Sequence, residues 1–142
     1  MKSLKDYITE GLSNQKKIFV VIKPGFLDKT KDILNIYKEN GWECESTTIK
    51  QLMPEEAKKL YSVHKKKDFY KPLCEYMGSD VTRAFIFVKE TNNDEFKEAS
   101  RIKDEIRKKW GESDMRNVVH SSDSLEHMKD EAGVYFNPII LQ

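Results

Sequence analysis

Two short runs without a polar residue form the strongest pattern along the chain. Residues 18–22 read IFVVI and residues 84–88 read AFIFV. Branched and aromatic residues in such runs are typical of β-strands, and a proline-glycine turn ends the first run. A Thr-rich stretch of alternating polarity over residues 42–50 predicts another strand, and residues 118–119 are a fourth, very short candidate.

Helical spacing of apolar residues fills most segments between these strands. It predicts helices over residues 28–39 and 93–109, a helix that begins at Pro54, and a short helical turn over residues 72–77. The first residues, 1–15, have apolar positions spaced as in a short amphipathic helix.

The last helix is predicted from its capping residues. Asp123 and Glu126 have the spacing of a capping box, and Gly133 is a helix stop. The resulting order, β-α-β-α-β-α-β-α, predicts an α/β fold. Short links between mixed elements favour a sheet covered by helices mainly on one face.

The composition limits the classes of function. The chain has 142 residues, enough for one domain, and its 25 Lys+Arg against 24 Asp+Glu leave a net charge of +1. Such a balance gives no field that attracts nucleic acid or anionic lipid. No apolar run approaches the ~20 residues that span a bilayer, and the start lacks the apolar stretch of a secretory signal. Cys44 and Cys74 lack metal-site spacing. We therefore expect a single-domain cytoplasmic protein.

The densest polar segment, residues 116–124 (RNVVHSSDS), is the first candidate for chemistry. His120 ends a short apolar strand, and the helix that follows presents an N-terminus that attracts anions. A neutral imidazole is available near pH 7, and its attack on a terminal phosphoryl group would give a covalent phosphohistidine. The alternative interpretation is a hydrogen-bonded surface histidine.

Other residues fit a phosphate or base site, although each has a plainer interpretation. Lys23 follows the first strand and can contact a phosphate as a point charge, or simply lie in solvent. Tyr61 can hydrogen-bond a lysine or an imidazole, and Phe69 offers a flat face to a base, but both also suit a core. The chain has no Walker A or GxGxxG sequence, so phosphate binding would depend on lysine, arginine and a metal ion.

Taken together, these residues resemble the nucleoside diphosphate kinase family. The resemblance rests on IKP at residues 22–24, on Tyr61, Phe69 and Leu73 in that order, and above all on NVVHSSDS at residues 117–124. It covers nearly all of the chain, and the last of these motifs is highly specific.

The resemblance implies both a fold and an activity. The fold is an α+β, ferredoxin-like βαββαβ sandwich with a four-stranded antiparallel sheet and flanking helices. It would occupy residues 16–142, after an N-terminal extension of residues 1–15. The activity is an Mg²⁺-dependent, ping-pong transfer of the γ-phosphate of a nucleoside triphosphate to a nucleoside diphosphate through a phosphohistidine at His120. The partners would be ATP, GTP, ADP, GDP and their deoxy forms, and neither a membrane nor a specific nucleic acid. The chain would form a homo-oligomer, for which a hexamer is favoured over a tetramer or dimer.

The resemblance also implies a role for each matching residue. His120 is the phosphorylated residue, Glu131 hydrogen-bonds its ring, and Ser122 supports that acid. Mg²⁺ would be held mainly by the nucleotide phosphates. The other matches would hold the nucleotide: Lys23 and Asn117 at the sugar 3′-hydroxyl and phosphates, Tyr61 beside the lysine, His64, Arg101 and Arg107 at the phosphates, Phe69 stacked on the base, and Leu73 next to it.

The chain departs from the family pattern in a few places. Gly25 and Phe26 replace the last two residues of the usual IKPDG turn. Between the third strand and Arg107, a charged helix replaces a longer arm that carries a phosphate-binding threonine, for which no match is found. This shortened arm is the one feature that favours an alternative function, a non-catalytic nucleotide-binding or scaffold module. Residues 1–15 have no counterpart, and would be either a frayed tail or a helix packed on a neighbouring subunit.

Overall fold

A computed structural model describes residues 14–137 of the protein. Its strands form one antiparallel sheet in the order β2-β3-β1-β4. The strands are β1 (Gln15–Ile22), β2 (Glu43–Lys50), β3 (Thr82–Glu90) and β4 (Val119–Ser121). This four-stranded sheet with its flanking helices confirms the predicted ferredoxin-like fold.

Five α-helices connect or follow the strands. Short 3₁₀ turns precede α1 and follow α2, at Leu27–Lys29 and Ser62–His64. Among residues 14–137, no helix is long and apolar enough to cross a membrane. The helix expected within residues 1–15 lies outside the described residues. The helices are α1 (Thr30–Glu39), α2 (Pro54–Leu60), α3 (Tyr70–Met77), α4 (Glu95–Trp110) and α5 (Leu125–Ala132).

Helices cover both faces of the sheet, so the expectation of one covered face is wrong. Ile18, Val20 and Ile22 of β1 pack in one core with α1 and α4. Phe19 and Val21 pack in a second core with α2, α3 and α5. Because successive strand residues point to opposite faces, a central strand buried on both faces needs the continuous apolar run that β1 has.

The last helix begins one residue later than the capping pattern suggested. Its N-cap is Ser124, whose hydroxyl oxygen accepts a hydrogen bond from the backbone N–H of His127 at 3.2 Å. The carboxylate of Asp123 instead lies 2.7 Å from Nδ1 of His127. Both side chains suit a helix start, and the choice places Asp123 at the rim of the cavity described below.

Candidate active site

The ends of β1 and β4 bring Lys23 and His120 together. In the antiparallel register His120 lies opposite Val21, and the backbone N–H of Lys23 donates to the carbonyl of Val118 at 2.8 Å. Residues opposite each other in an antiparallel pair share a face, so both side chains point to the face covered by α2, α3 and α5.

A strained residue lies just before β4. Val118 is fully buried and has φ 80°, the left-handed region that a branched side chain rarely adopts. Its backbone carbonyl accepts the bond from Lys23, and the next N–H, of Val119, donates to the carbonyl of Asn117 at 3.0 Å. Strain of this kind persists only where the surroundings enforce it, and it often accompanies functional sites.

A cavity of about 580 Å³ opens at these strand ends. We call the part lined by buried and half-buried residues, Lys23, Lys103, Arg107, His120 and Glu131, the inner end. The part lined by the exposed Val63 and Phe69 and by His64 is the outer end. The cavity brings together nine of the predicted site residues: Lys23, Tyr61, His64, Phe69, Leu73, Arg107, Asn117, His120 and Glu131.

His120 is held by a buried carboxylate. Nε2 of His120 lies 2.5 Å from Oε1 of Glu131, which is 5% exposed and comes from α5. Because a carboxylate oxygen accepts, Nε2 carries the hydrogen and Nδ1 carries the free lone pair. Burial lowers the pKa of His120, with Glu131 acting in the opposite direction and Lys23 and Lys103 adding to the decrease. The ring is therefore neutral at pH 7, as a nucleophile requires.

Ser122 does not make the predicted contact with Glu131. Its backbone N–H donates to the carbonyl of Phe19 at 3.3 Å, and its buried hydroxyl has no hydrogen-bond partner among residues 14–137. The hydroxyl of Tyr61 and Oδ1 of Asn117 are likewise buried without a partner in this part of the chain. An unpaired buried polar atom is costly, and these last two residues line the cavity where a ligand would bind.

Two predicted cations lie at the inner end. Lys23 is 3% exposed, and burial, with smaller contributions from Arg107 and Lys103, lowers its pKa to about 7. Its Nζ donates to the carbonyl of Met115 at 3.3 Å. Nε and Nη2 of Arg107 donate to the carbonyl of Val119 at 3.2 and 3.0 Å, which ties this guanidinium to β4.

Lys103 is a third cation at the inner end that the sequence analysis did not single out. It lies one turn before Arg107 on α4, is half-buried and lines the cavity. The four-residue spacing from Arg107 is the signal that could have found it, because residues four apart share a helix face. Within residues 14–137, none of the three cations forms an ion pair with a carboxylate.

Arg101 is not brought to the cavity. Its exposed guanidinium donates from Nη2 to Oδ1 of Asn40 at 3.0 Å. Six residues separate it from Arg107, which places the two side chains on different faces of α4, since each residue turns the helix by about 100°.

The outer end consists of rings on a surface segment. The ring centroids of His64 and Phe69 lie 5.3 Å apart, and Phe69 is 47% exposed. Leu73, in the first turn of α3, lines the same cavity and is buried. Such a flat, half-open apolar surface suits an aromatic ligand that stacks rather than one read by hydrogen bonds.

The carboxylates that line the cavity, those of Asp114, Asp123 and Glu131, are not grouped as a metal cage in the described part of the chain. Among the described residues there is no group of three or more His, Cys, Asp or Glu side chains placed to hold a metal ion. Glu131 and Asp123, which line the cavity, are bonded to His120 and His127.

Comparisons with known proteins agree on one family. The family model described as nucleoside diphosphate kinase matches residues 16–139. The nucleoside diphosphate kinase of Campylobacter jejuni (strain RM1221) is 33% identical over 132 residues, which cover 87% of this chain and 96% of that protein. That of Kosmotoga olearia is 28% identical over 136 residues, covering 86% and 89%.

Solved structures show the same fold. The crystal structure of the Aquifex aeolicus nucleoside diphosphate kinase superposes with a TM-score of 0.77 at 24% identity, covering 88% of this chain and 97% of that chain. That of the Encephalitozoon cuniculi nucleoside diphosphate kinase gives 0.73 at 21% identity, covering 85% and 88%.

Proposed function

The chain belongs to the nucleoside diphosphate kinase family, a family of nucleotide-binding phosphotransferases, and from this premise we propose its mechanism. It transfers the γ-phosphate of a nucleoside triphosphate to a nucleoside diphosphate in two half-reactions, through a phosphorylated His120. The observation that carries the proposal is the inner end, where a neutral imidazole held by Glu131 shares the cavity with three cations that have no carboxylate partner within residues 14–137.

In the first half-reaction, the lone pair on Nδ1 of His120 attacks the γ-phosphorus. The P–N bond forms as the bond from phosphorus to the β,γ-bridging oxygen breaks, and the diphosphate leaves. Glu131 stays bonded to the Nε2 hydrogen and stabilises the positive charge that develops on the ring. In the second half-reaction, a β-phosphate oxygen of another diphosphate attacks the phosphorus, the P–N bond breaks, and the neutral ring is restored.

The cations supply most of the catalysis in this proposal. Phosphoryl transfer spreads negative charge over the phosphate oxygens, and fixed cations in a partly dry cavity stabilise that charge. Lys23 and Arg107 are tied to backbone carbonyls, so little reorganisation is needed when the charge develops.

Mg²⁺ fits this site as part of the nucleotide complex. Mg²⁺ prefers phosphate oxygens and water, and it often binds through substrate phosphates rather than through a protein cage. The phosphates of the nucleotide would hold the ion, while Lys23, Lys103 and Arg107 of the same cavity would contact other phosphate oxygens. When bound, Mg²⁺ neutralises part of the phosphate charge.

The outer end would take the base of the nucleotide. Phe69 would provide the stacking face, with the ring of His64 beside it and Leu73 in the same cavity wall. Because every base has a π-face, stacking predicts broad tolerance of the base.

Labelling with γ-labelled ATP tests the mechanism directly. We expect acid-labile, alkali-stable label on the protein, its release by ADP or GDP, and complete loss of label in His120→Ala. His127→Ala is the matched control, because His127 lines the same cavity but lies at its rim, bonded to Asp123. An unlabelled wild type, or label that survives His120→Ala, would refute the mechanism.

Assembly and location belong to the same proposal. We infer a homo-oligomer, with a hexamer favoured, and a cytoplasmic location where nucleotides are abundant. An exposed edge strand, β2, and the exposed Ile49 at its end support association. Sedimentation equilibrium measures the assembly.

A further inference from the structure

We propose that Lys103 is a further phosphate-binding residue, whose ammonium group contacts the phosphoryl group that moves between the nucleotide and His120. This inference rests on the proposed function. The other cations were expected from the family resemblance, whereas Lys103 follows from the structure of this chain alone.

The helix phase holds Lys103 toward the cavity. Its neighbour Ile102 and the next-turn residue Ile106 are both fully buried in the core beneath α4. These two residues fix the rotation of the helix about its axis. Lys103 and Arg107 follow them by one residue each, so both side chains point into the inner end.

The charge of Lys103 has no partner among residues 14–137. No hydrogen bond or ion pair of this ammonium occurs there, and burial, reinforced by Arg107, lowers its pKa. The carboxylates that counteract this decrease are Asp104, Asp123 and Glu131, and the last two are already bonded to histidines. A half-buried lysine beside two other cations is unfavourable in the empty cavity, and a polyanion would compensate it.

The position of Lys103 on α4 assigns it to the transferred group rather than to the base, because Arg107, one turn further along, donates to the carbonyl of Val119, the residue before His120. The charge of Lys103 lowers the pKa of both Lys23 and His120, in agreement with this position. The aromatic residues at the outer end belong to a different segment, around the second 3₁₀ turn and the start of α3. A cation that lines the cavity together with Arg107 and His120 would meet the terminal phosphate of a triphosphate.

The structure also gives a reason for this cation. The family resemblance leads one to expect a second arginine near the phosphates, but Arg101 donates to Asn40 away from the cavity. In this chain α4 is one continuous helix from Glu95 to Trp110. Lys103 supplies from that helix a positive charge that Arg101 does not bring.

Binding measurements in a chain that cannot transfer phosphate test the inference. In a His120→Ala background, calorimetry compares the dissociation constants of Mg-ATP and Mg-ADP with and without Lys103→Met. We expect weaker ATP binding by about 10- to 100-fold, the loss of one hydrogen bond between charged groups, and ADP binding changed less than about 2-fold. Lys108→Met is the control, because Lys108 is an exposed lysine on the same helix outside the cavity.

Single-turnover labelling of chains that retain His120 provides the second readout. Lys103→Met should slow labelling by about 10²-fold, and Lys103→Arg should restore most of the rate. Thermal melting checks the fold, and loss of an unpaired charge should leave the melting temperature unchanged or higher.

Equal weakening of ATP and ADP, or no weakening of either, would overturn the assignment of Lys103 to the transferred group. Absence of label on wild-type His120 would instead refute the proposed function. The ATP-to-ADP comparison would still decide the role of Lys103, because it does not depend on transfer.

Discussion

The inner and outer ends of the cavity are built from different kinds of structure. At the inner end, Lys23 and His120 extend from the ends of paired strands, and Glu131 reaches the ring from α5. At the outer end, His64 ends a 3₁₀ turn, and Phe69 precedes α3 with nearly half of its surface exposed. The first set is fixed by the sheet and the core, and the second lies on a surface segment.

In the proposed function, this difference would let one cavity combine phosphoryl transfer with tolerance of the base. Buried charges act strongly on one another and on phosphates because little water screens them. Stacking on an exposed ring contributes less energy and distinguishes bases poorly. Substitutions at the inner end should therefore change the rate of transfer, whereas substitutions at the outer end should change nucleotide affinity.

The largest difference between the ends is expected for Lys23→Met. Loss of this ammonium should slow phosphoryl transfer by about 10²- to 10³-fold, as measured by single-turnover labelling.

The folded chain lowers the pKa of Lys23 from 10.5 to about 7, so the cost of burying its charge is greatest below pH 7. Without nucleotide, the variant should therefore melt at a higher temperature than the wild type at pH 6, and the difference should shrink by pH 9.

Proton uptake sharpens the same test. At pH 8 Lys23 is mostly neutral in the empty site, and phosphates should restore its charge on binding. Calorimetry in buffers of different ionisation enthalpy should then show uptake approaching one proton per ADP for the wild type and for Lys108→Met. Uptake that persists unchanged in Lys23→Met would show that the proton binds elsewhere.

A smaller effect is expected for Glu131→Gln, which keeps the shape of the side chain and removes its charge. Labelling of His120 should slow by about 10²-fold, with ADP affinity nearly unchanged, because Glu131 acts through the ring rather than on the nucleotide. Glu131 raises the pKa of His120, so the variant should lose rate at a lower pH than the wild type does as the pH falls.

The pH profile tests whether Glu131 positions the ring of His120 and raises its pKa. A shift of the acidic limb to higher pH, or equal losses of rate and affinity, would contradict the role of Glu131. Ser122→Ala is a matched control, because the buried Ser122 hydroxyl has no partner and its loss should change the labelling rate less than about 3-fold.

Sequence reasoning named residues that the structure brings together at the inner end where the signal was local. The motif at residues 117–124 contains the end of a strand, the candidate nucleophile and the start of a helix. Because these lie in one short segment, they are also close together in the structure. It failed at Arg101 because the rotation of a helix about its axis decides which of its side chains face the cavity. The buried Ile102 and Ile106 fix that rotation and favour Lys103.

The other differences also have physical reasons. The continuous apolar run of β1 is a signal that both faces of the sheet are covered, in addition to being a signal for a strand. The hydroxyl of Ser122 lacks the expected partner because the backbone of this residue is tied to Phe19, a long-range contact that no local pattern reveals.

The smallest effect is expected at the outer end, for Phe69→Ala. Stacking of a base on an aromatic ring is worth about 1–3 kcal/mol, and a half-exposed ring should give the lower value. The Michaelis constants for nucleotides should therefore rise by about 5- to 10-fold, with kcat changed less than about 2-fold, in a steady-state assay. Val81→Ala, at an exposed valine outside the cavity, is the control and should change neither constant appreciably. Similar increases for adenine, guanine and cytosine nucleotides would support stacking. An increase for one base alone would mean that the outer end recognises that base by hydrogen bonds, and the contrast between the two ends would then be wrong.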